Sequence, residues 1–333
     1  MNLLVTGTAG FIGSAFVRML LGKPRKPGLG QPTIGKNDKI ISLDLLTYAG
    51  CEDNLTPVAS DPRHVFYKGD IQDRKLVERI VKEHKIDGIL NFAAESHVDR
   101  SIEGAEVFAT TNVLGTLNLL EVARTHKIKF LQVSTDEVYG ALGDTGSFTE
   151  ETPMAPNSPY SASKAASDCF VRSYVHTHGL DATITRCSNN YGPYQFPEKF
   201  LPLALTRLMG GGKIPVYGTG KNVRDWLHVE DHCEGIWLTW LKGKSGEVYN
   251  FGGFGEKQNI EMAQLLIKKL GKKESDSLEF VADRKGHDWR YSMDPAKVVR
   301  ELGWKPRWTV EQGIDDLIDW YKTNEAWWKP KLK

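Results

Sequence analysis

Short apolar runs recur through the first half of the chain, and most are followed by a longer stretch with helical spacing. Leu3-Leu4-Val5, Ile40 to Leu43, His64 to Tyr67, Asp87 to Phe92 and Phe130 to Val133 read as buried strands. Helical patterns run from Ser14 to Leu21, from near Arg74, from Ala105 to His126 and from Tyr160 to His178. Asp181 to Thr185 adds another strand. Alternation of this kind predicts an α/β fold, a Rossmann-like doubly wound parallel sheet, over residues 1–190.

Beyond residue 190 the pattern changes. Short segments carry Pro, Gly and aromatics, as in Ile214-Pro215-Val216-Tyr217 and Arg224-Asp225-Trp226-Leu227-His228. Residues 191–333 therefore read as a smaller C-terminal lobe for substrate, with a strand near Val248 to Phe251 returning to the sheet. The helix Val310 to Tyr321 is amphipathic and is expected to pack on that lobe. Two stretches carry no functional signal. Gly22 to Lys39 is a Pro/Gly/Lys-rich insert without periodicity, read as a surface loop. The tail is rich in Trp and Lys.

Composition narrows the class. A 333-residue chain with a net charge of +1 gives no sign of nucleic acid or an anionic membrane as partner. No apolar run is long enough to span a bilayer, and a first strand at Asn2 leaves no room for a signal peptide. The four cysteines, Cys51, Cys169, Cys187 and Cys233, lie far apart without metal spacing, so no metal site is expected. They read as reduced, mostly buried thiols of a cytoplasmic protein.

The candidate chemistry lies where the strands end. Gly7-Thr8-Ala9-Gly10-Phe11-Ile12-Gly13 joins the first strand to the first helix, with spacing G-x-x-G-x-x-G. Glycines there let the backbone approach a pyrophosphate and set it on a helix N-terminus. The plainer alternative is a tight turn with close helix packing. Asp44, after the second strand, is placed to accept from ribose hydroxyls, which favours NAD over NADP. The usual gap from the glycines is about twenty residues, and the insert explains the excess. Asp70 either meets an adenine edge or caps the helix beginning near Arg74. Ala93 and Ala94 leave space for a cofactor against the backbone. His97 is either a proton carrier or a structural histidine.

Thr135-Asp136-Glu137 delivers a hydroxyl and two carboxylates to the C-terminal end of the fifth strand, where ligands bind in open α/β sheets. Tyr160 and Lys164, four apart, share one helix face. By themselves, two adjacent acids after a strand are usually a solvated turn, and a Tyr–Lys pair can be ordinary amphipathic spacing. Together they suit redox and proton transfer. A phenol of pKa about 10 needs activation, and positive charge one turn away at Lys164 favours the phenolate.

With these motifs assembled, the chain resembles the extended short-chain dehydrogenase/reductase superfamily and, within it, the nucleotide-sugar 4,6-dehydratases. The glycine turn and Tyr160-x-x-x-Lys164 carry the superfamily resemblance. Thr135-Asp136-Glu137-Val138-Tyr139-Gly140, Asp44 to Gly50, Ala93 to Ser101, Asn189 to Gln195, Arg224-Asp225-Trp226 and Asp283 to Asp288 carry the narrower one. Thr8, where glycine is common, and the length of the insert depart from the pattern, both away from the reacting centre.

The resemblance implies a reaction on dTDP-glucose that yields a 4-keto-6-deoxy sugar with loss of water, using an NAD that stays tightly bound and is recycled. It implies that Tyr160 is the base at the 4-hydroxyl, that Lys164 holds the cofactor ribose, and that Thr135 bonds the 4-oxygen. Asp136 would protonate the departing 6-hydroxyl and Glu137 would take the C5 proton. Leu45, Thr47, Ile71, Thr111 and Asn190 join the glycine turn, Asp44, Asp70, Ala93 and Ala94 around the cofactor. Ser96, Asn189, Lys199, Phe200, Pro215, Val216, Tyr217, Arg224, Asn259, Arg284 and His287 fall around the sugar nucleotide. The cationic side chains suit a diphosphate and Tyr217 suits a stacked base, while Pro215 and Val216 fit packing equally well. Related proteins pair two long helices across a two-fold, so a homodimer is expected.

Two other readings compete. A UDP-sugar 4-epimerase needs Tyr and Lys but no acid–base pair for elimination; a UDP-glucose 4,6-dehydratase differs by one base methyl, worth about 1–3 kcal/mol. An NAD-binding sensor needs neither the Tyr–Lys pair nor both carboxylates.

Overall fold

The computed structural model of the chain describes residues 1–23, 33–283 and 287–332. The first half alternates as its apolar pattern implies. The strands are β1 (Asn2–Thr6), β2 (Lys39–Asp44), β3 (His64–Lys68), β4 (Gly88–Asn91), β5 (Lys129–Thr135) and β6 (Ala182–Cys187). Then come β7 (Asn189–Tyr191), β8 (Ile214–Tyr217), β9 (Val223–His228), β10 (Val248–Phe251), β11 (Glu256–Gln258) and β12 (Leu278–Val281). Seven form one parallel sheet in the order β10-β6-β5-β4-β1-β2-β3. A parallel sheet is buried on both faces, which is why its strands read as continuous apolar runs. β1 lies between β2 and β4, so the strand order reverses there and opens a crevice at the strands' C-terminal ends.

Helices cover both faces. Phe11–Leu20 and Val229–Lys242 pack on one side through Phe16, Trp237 and Trp240. Arg74–His84, Thr116–His126 and Pro159–His178 cover the other. The C-terminal half therefore supplies a covering helix as well as the edge strand β10. The remaining strands make a three-stranded sheet, β11-β9-β7, and a parallel pair, β12-β8. Helices Phe200–Met209, Asn259–Lys269 and Val310–Thr323 close a separate apolar core around Leu205, Leu266 and Ile314.

Several local expectations change. The first helix begins at Phe11 rather than Ser14, so Gly13 is inside it. The continuous helix expected from Ala105 to His126 is broken by π-helical turns over Ala109–Gly115. Tertiary bonds hold that register. Asn112 Nδ2 donates to the Glu95 carbonyl and to Ser163 Oγ, and the Asn112 carbonyl accepts from Ser167 Oγ. Such bulges recur at functional sites. The helix after β3 is capped by Asp73, whose carboxylate accepts from Leu76 N–H, not by Asp70. All four cysteines are free; Cys187 and Cys233 are buried, Cys51 is half-buried and Cys169 is exposed. Of the insert, residues 24–32 lie outside the described residues.

Candidate active site

The crevice at the β1/β4 reversal is a cleft of about 640 Å³. Its floor is the glycine turn. Gly7 has φ +67, and a Cβ there would lie 2.6 Å from Ala93 N, so the turn after β1 and the turn after β4 touch backbone to backbone. A Cβ on Gly13 would meet the Gly7 carbonyl oxygen at 2.2 Å, which fixes the helix N-terminus directly behind the turn. This bare cradle, aimed along a helix N-terminus, fits the pyrophosphate of a dinucleotide.

Asp44 ends β2 beside it. Its Oδ2 accepts from Ala9 N–H and its Oδ1 from Leu46 N–H, both at 2.8 Å. Burial pushes this carboxyl up, while those N–H groups pull the other way. The residue thus anchors the glycine turn as well as lining the cleft. Leu45, Thr47, Asp70, Ile71, Ala93, Ala94 and Thr111 line the same cleft, with Gly10, Phe11 and Ile12. Asn190, on β7, reaches it from the other side, its Oδ1 3.0 Å from Nδ1 of the buried His232.

The reacting groups converge beyond β5. Thr135 is the last residue of that strand, and Asp136 and Glu137 open a 3-10 turn, Asp136–Tyr139. Thr135 Oγ1 donates to Asp136 Oδ1 at 3.1 Å and accepts from Glu137 N–H at 3.2 Å. Asp136 is only 2% exposed, and its Oδ2 has no hydrogen-bond partner. Burial and the adjacent Glu137 charge hold its carboxyl well above the usual range. The Asp136 carboxyl thus faces the cleft in surroundings that favour its protonated form.

Tyr160 and Lys164 project from one face of the helix that begins at Pro159, held there by the Ser158–Ser161 capping box. Burial and the Glu137 carboxylate push the Tyr160 phenol well up, and Thr135 pulls it down. Lys164 Nζ donates to the Val133 carbonyl at 2.8 Å, and burial lowers its pKa. Burial is thus the largest influence on the phenol, with the Glu137 carboxylate next, and the Lys164 amine is held on β5 by the Val133 carbonyl.

Across the cleft stand Ser96, Asn189, Lys199, Phe200, Pro215, Tyr217, Arg224, Asn259 and His287. Lys199 Nζ donates to the Ser96 carbonyl at 2.8 Å, joining the lobe to the turn after β4. Arg224 is fixed by the carbonyls of Val223 and Asp288, with its guanidinium 4.4 Å from the centre of the Tyr291 ring. Val216 does not belong with these residues. Alternation along β8 turns it into the lobe core, 1% exposed, while Pro215 and Tyr217 face the cleft. Arg284 lies outside the described residues. His97 has the structural role: its Nδ1 accepts from Arg100 N–H at the start of the helix Val98–Glu103.

Sequence reasoning missed Glu198, although it is adjacent to Lys199. Its carboxylate accepts from the Tyr48 hydroxyl at 2.9 Å and lies 3.7 Å from His97 and 3.8 Å from Arg100, bridging the lobe to two turns of the sheet. Cys187, Gln195 and Trp226 also line the cleft unannounced.

A parallel sheet with a glycine turn at its reversal point and a Tyr–Lys pair on the helix after β5 defines an extended short-chain dehydrogenase/reductase. Residues 4–317 match the family described as GDP-mannose 4,6 dehydratase. The dTDP-glucose 4,6-dehydratase of Xanthomonas campestris pv. campestris (strain ATCC 33913) is 51% identical, over 97% of this chain and 94% of that protein. That of Streptomyces antibioticus is also 51% identical, over 100% and 96%. The chain belongs to this family, among its dTDP-glucose 4,6-dehydratases. The solved dTDP-glucose 4,6-dehydratase of Streptomyces venezuelae, with NAD and TYD bound, superposes with a TM-score of 0.93 at 51% identity, covering 99% of this chain and 100% of that one. The UDP-glucose 4-epimerase of Thermotoga maritima shares the fold at TM-score 0.87 but only 28% identity, covering 98% and 100%.

Proposed function

We infer that this chain catalyses the NAD-dependent 4,6-dehydration of dTDP-glucose to dTDP-4-keto-6-deoxy-glucose. One observation carries the reading: the buried Asp136, in surroundings that raise its carboxyl, and Glu137 face the same cleft as Tyr160 and Lys164. An epimerase has no step that uses such a pair, and a sensor uses none of the four.

The cleft fits NAD through the glycine cradle, Asp44 and Asn190, with Lys164 at the cofactor ribose. When bound, NAD supplies the acceptor for the C4 hydride, its return to C6, and positive charge beside the Tyr160 phenol. The protein's own groups do the rest. Tyr160 takes the 4-hydroxyl proton while Thr135 orients that oxygen. The C4 ketone acidifies C5–H, and Glu137 removes that proton. Asp136, whose burial favours the protonated form, gives its proton to the 6-hydroxyl, which leaves as water. Two adjacent carboxyl groups thus divide the work, with burial of Asp136 favouring its protonated form. Lys199 and Arg224 fit the diphosphate, and Tyr217 the base. The cofactor groups lie mainly in residues 1–190 and the sugar-nucleotide groups mainly in 191–333.

The assembly is a homodimer. Val107, Leu114 and Phe170 are exposed apolar residues of the two long helical stretches, an exposure that pairing across a two-fold into a four-helix bundle would cover. Light scattering at micromolar concentration is expected to give twice the 37.3 kDa of one chain. The protein works in the cytoplasm: its thiols are free, and among the described residues no helix is long and apolar enough to cross a membrane.

A product assay tests the function. Purified protein with dTDP-glucose and no added NAD should yield a product lighter by one water. Turnover of UDP-glucose or UDP-galactose instead would overturn the substrate, and silence on all sugar nucleotides would overturn the reaction.

A further inference from the structure

One side chain of the Trp-rich tail is joined to the cofactor cradle through a single buried residue. The helix Glu325–Trp328 lies over the 3-10 segment Glu52–Val58 that follows β2. Trp327 Nε1 donates to Asn54 Oδ1 at 2.9 Å. Asn54, 1% exposed, passes the contact on: its Nδ2 donates to the Ala9 carbonyl at 2.8 Å. That carbonyl also accepts from Cys51 N–H at 3.0 Å, and the Ala9 N–H is bound to Asp44. Both sides of the Ala9 peptide, inside the glycine turn, are therefore fixed from outside it.

The bond at Trp327 decides how Asn54 is oriented. An amide side chain can be turned over to exchange its oxygen and nitrogen. With an indole N–H, a donor only, on one side and a carbonyl, an acceptor only, on the other, a single orientation satisfies both. The indole is itself held. It packs edge-on against Trp320, with centroids 5.0 Å apart, and against Tyr194 at 5.8 Å. Lys331 stands 4.2 Å over the ring and donates to the Trp327 carbonyl. The same Asn54 accepts at its own carbonyl from Arg18 of the first helix, and Arg18 lies 4.0 Å over the Tyr194 ring. Tail, lobe and glycine turn thus meet at one buried asparagine.

We propose that Trp327 is a positioning residue for the cofactor: through Asn54 it holds the Ala9 peptide of the glycine turn in the shape that retains NAD. The C-terminal tail, at the far end of the sequence, is then part of what keeps the cofactor bound between turnovers. This rests on the NAD reading above.

The test compares two conservative changes in the full chain. Trp327→Phe keeps a ring against Trp320 and Tyr194 and removes the N–H. Trp328→Phe removes the neighbouring indole bond, to the Tyr321 carbonyl, and leaves the bonds of Asn54 to Trp327 and Ala9 in place. The dissociation rate of NAD is measured by chase, and thermal midpoints are recorded alongside. One lost neutral hydrogen bond predicts release roughly threefold to tenfold faster from Trp327→Phe, with Trp328→Phe releasing at the wild-type rate. Asn54→Ala removes the same relay from the other side, and Trp327→Phe should add nothing further in that background. Release at the wild-type rate from Trp327→Phe, or equal acceleration in both Trp variants, would overturn the proposal while leaving the cofactor reading intact. A wild-type chain that retains no NAD would overturn both.

Discussion

The hydroxyl of Thr135 donates to Asp136 Oδ1, and the second oxygen of that carboxyl, Oδ2, is buried without any partner. A carboxylate in that position is under-solvated, and Glu137 next to it adds like charge. Both effects favour the protonated form of Asp136, and activity should need the proton there. Because the folded pKa is raised, the stability this group contributes is complete below the ordinary carboxyl range and is lost as pH rises towards the raised value. Product formation should fall on the alkaline side for the same reason. Asp136→Asn fixes the side chain in a neutral form that has no proton to give. It should reduce product formation by about 10²–10⁴-fold. Its thermal midpoint should drop less than wild type between pH 5 and pH 8. An unchanged pH trend in melting curves would remove Asp136 as the buried acid.

In the proposed mechanism Glu137 acts after oxidation at C4, so its loss should leave the first hydride transfer working. Glu137→Gln mixed with dTDP-glucose should develop the near-ultraviolet absorbance of reduced nicotinamide and hold it, with product formation down by about 10²–10⁴-fold. Solvent deuterium should not appear at C5. Normal turnover would mean that another group takes the C5 proton.

Tyr160 acts one step earlier. Its phenol is raised by burial and by Glu137, so it depends on charge brought into the cleft. Tyr160→Phe should abolish the reduced-nicotinamide signal as well as product, by about 10²–10⁴-fold in single-turnover mixing. The contrast with Glu137→Gln is the informative result: one variant stops before oxidation, the other after it. A Tyr160→Phe protein that still shows the transient would move the first base elsewhere.

The placement of the strand-end motifs was legible in sequence because each follows an apolar run, and in a parallel sheet those ends share one edge; the roles proposed for the reacting groups came from the family resemblance. What was not legible depends on partners distant in the chain. The helical spacing from Ala105 to His126 is continuous, and the π-helical turns come with bonds of Asn112 to Glu95, Ser163 and Ser167, none of which the spacing shows. Val216 sits in a four-residue strand whose two faces are told apart only by what packs on them. Glu198 meets Tyr48 from 150 positions away, and Trp327 meets Asn54 from 273. Neither leaves a local pattern.

The catalytic helix is tied to the sheet by a buried ion pair, and that tie is testable by itself. Asp168, one turn beyond Lys164, accepts from Arg186 Nε at 2.9 Å and from Ser134 Oγ at 3.0 Å, next to Thr135. Asp168 is 1% and Arg186 5% exposed. Removing one partner strands a buried charge, so Asp168→Ala should cost about 3–5 kcal/mol in chemical denaturation. Replacing both, as Asp168→Leu with Arg186→Met, should cost much less, because no charge is left unpaired. If instead the double variant loses as much as the single one, the pair stabilises through its attraction and not merely by leaving no charge stranded. Activity separates a further role. If the pair also sets the register of Tyr160 and Lys164 against Thr135, the stable double variant should still turn over more slowly than wild type.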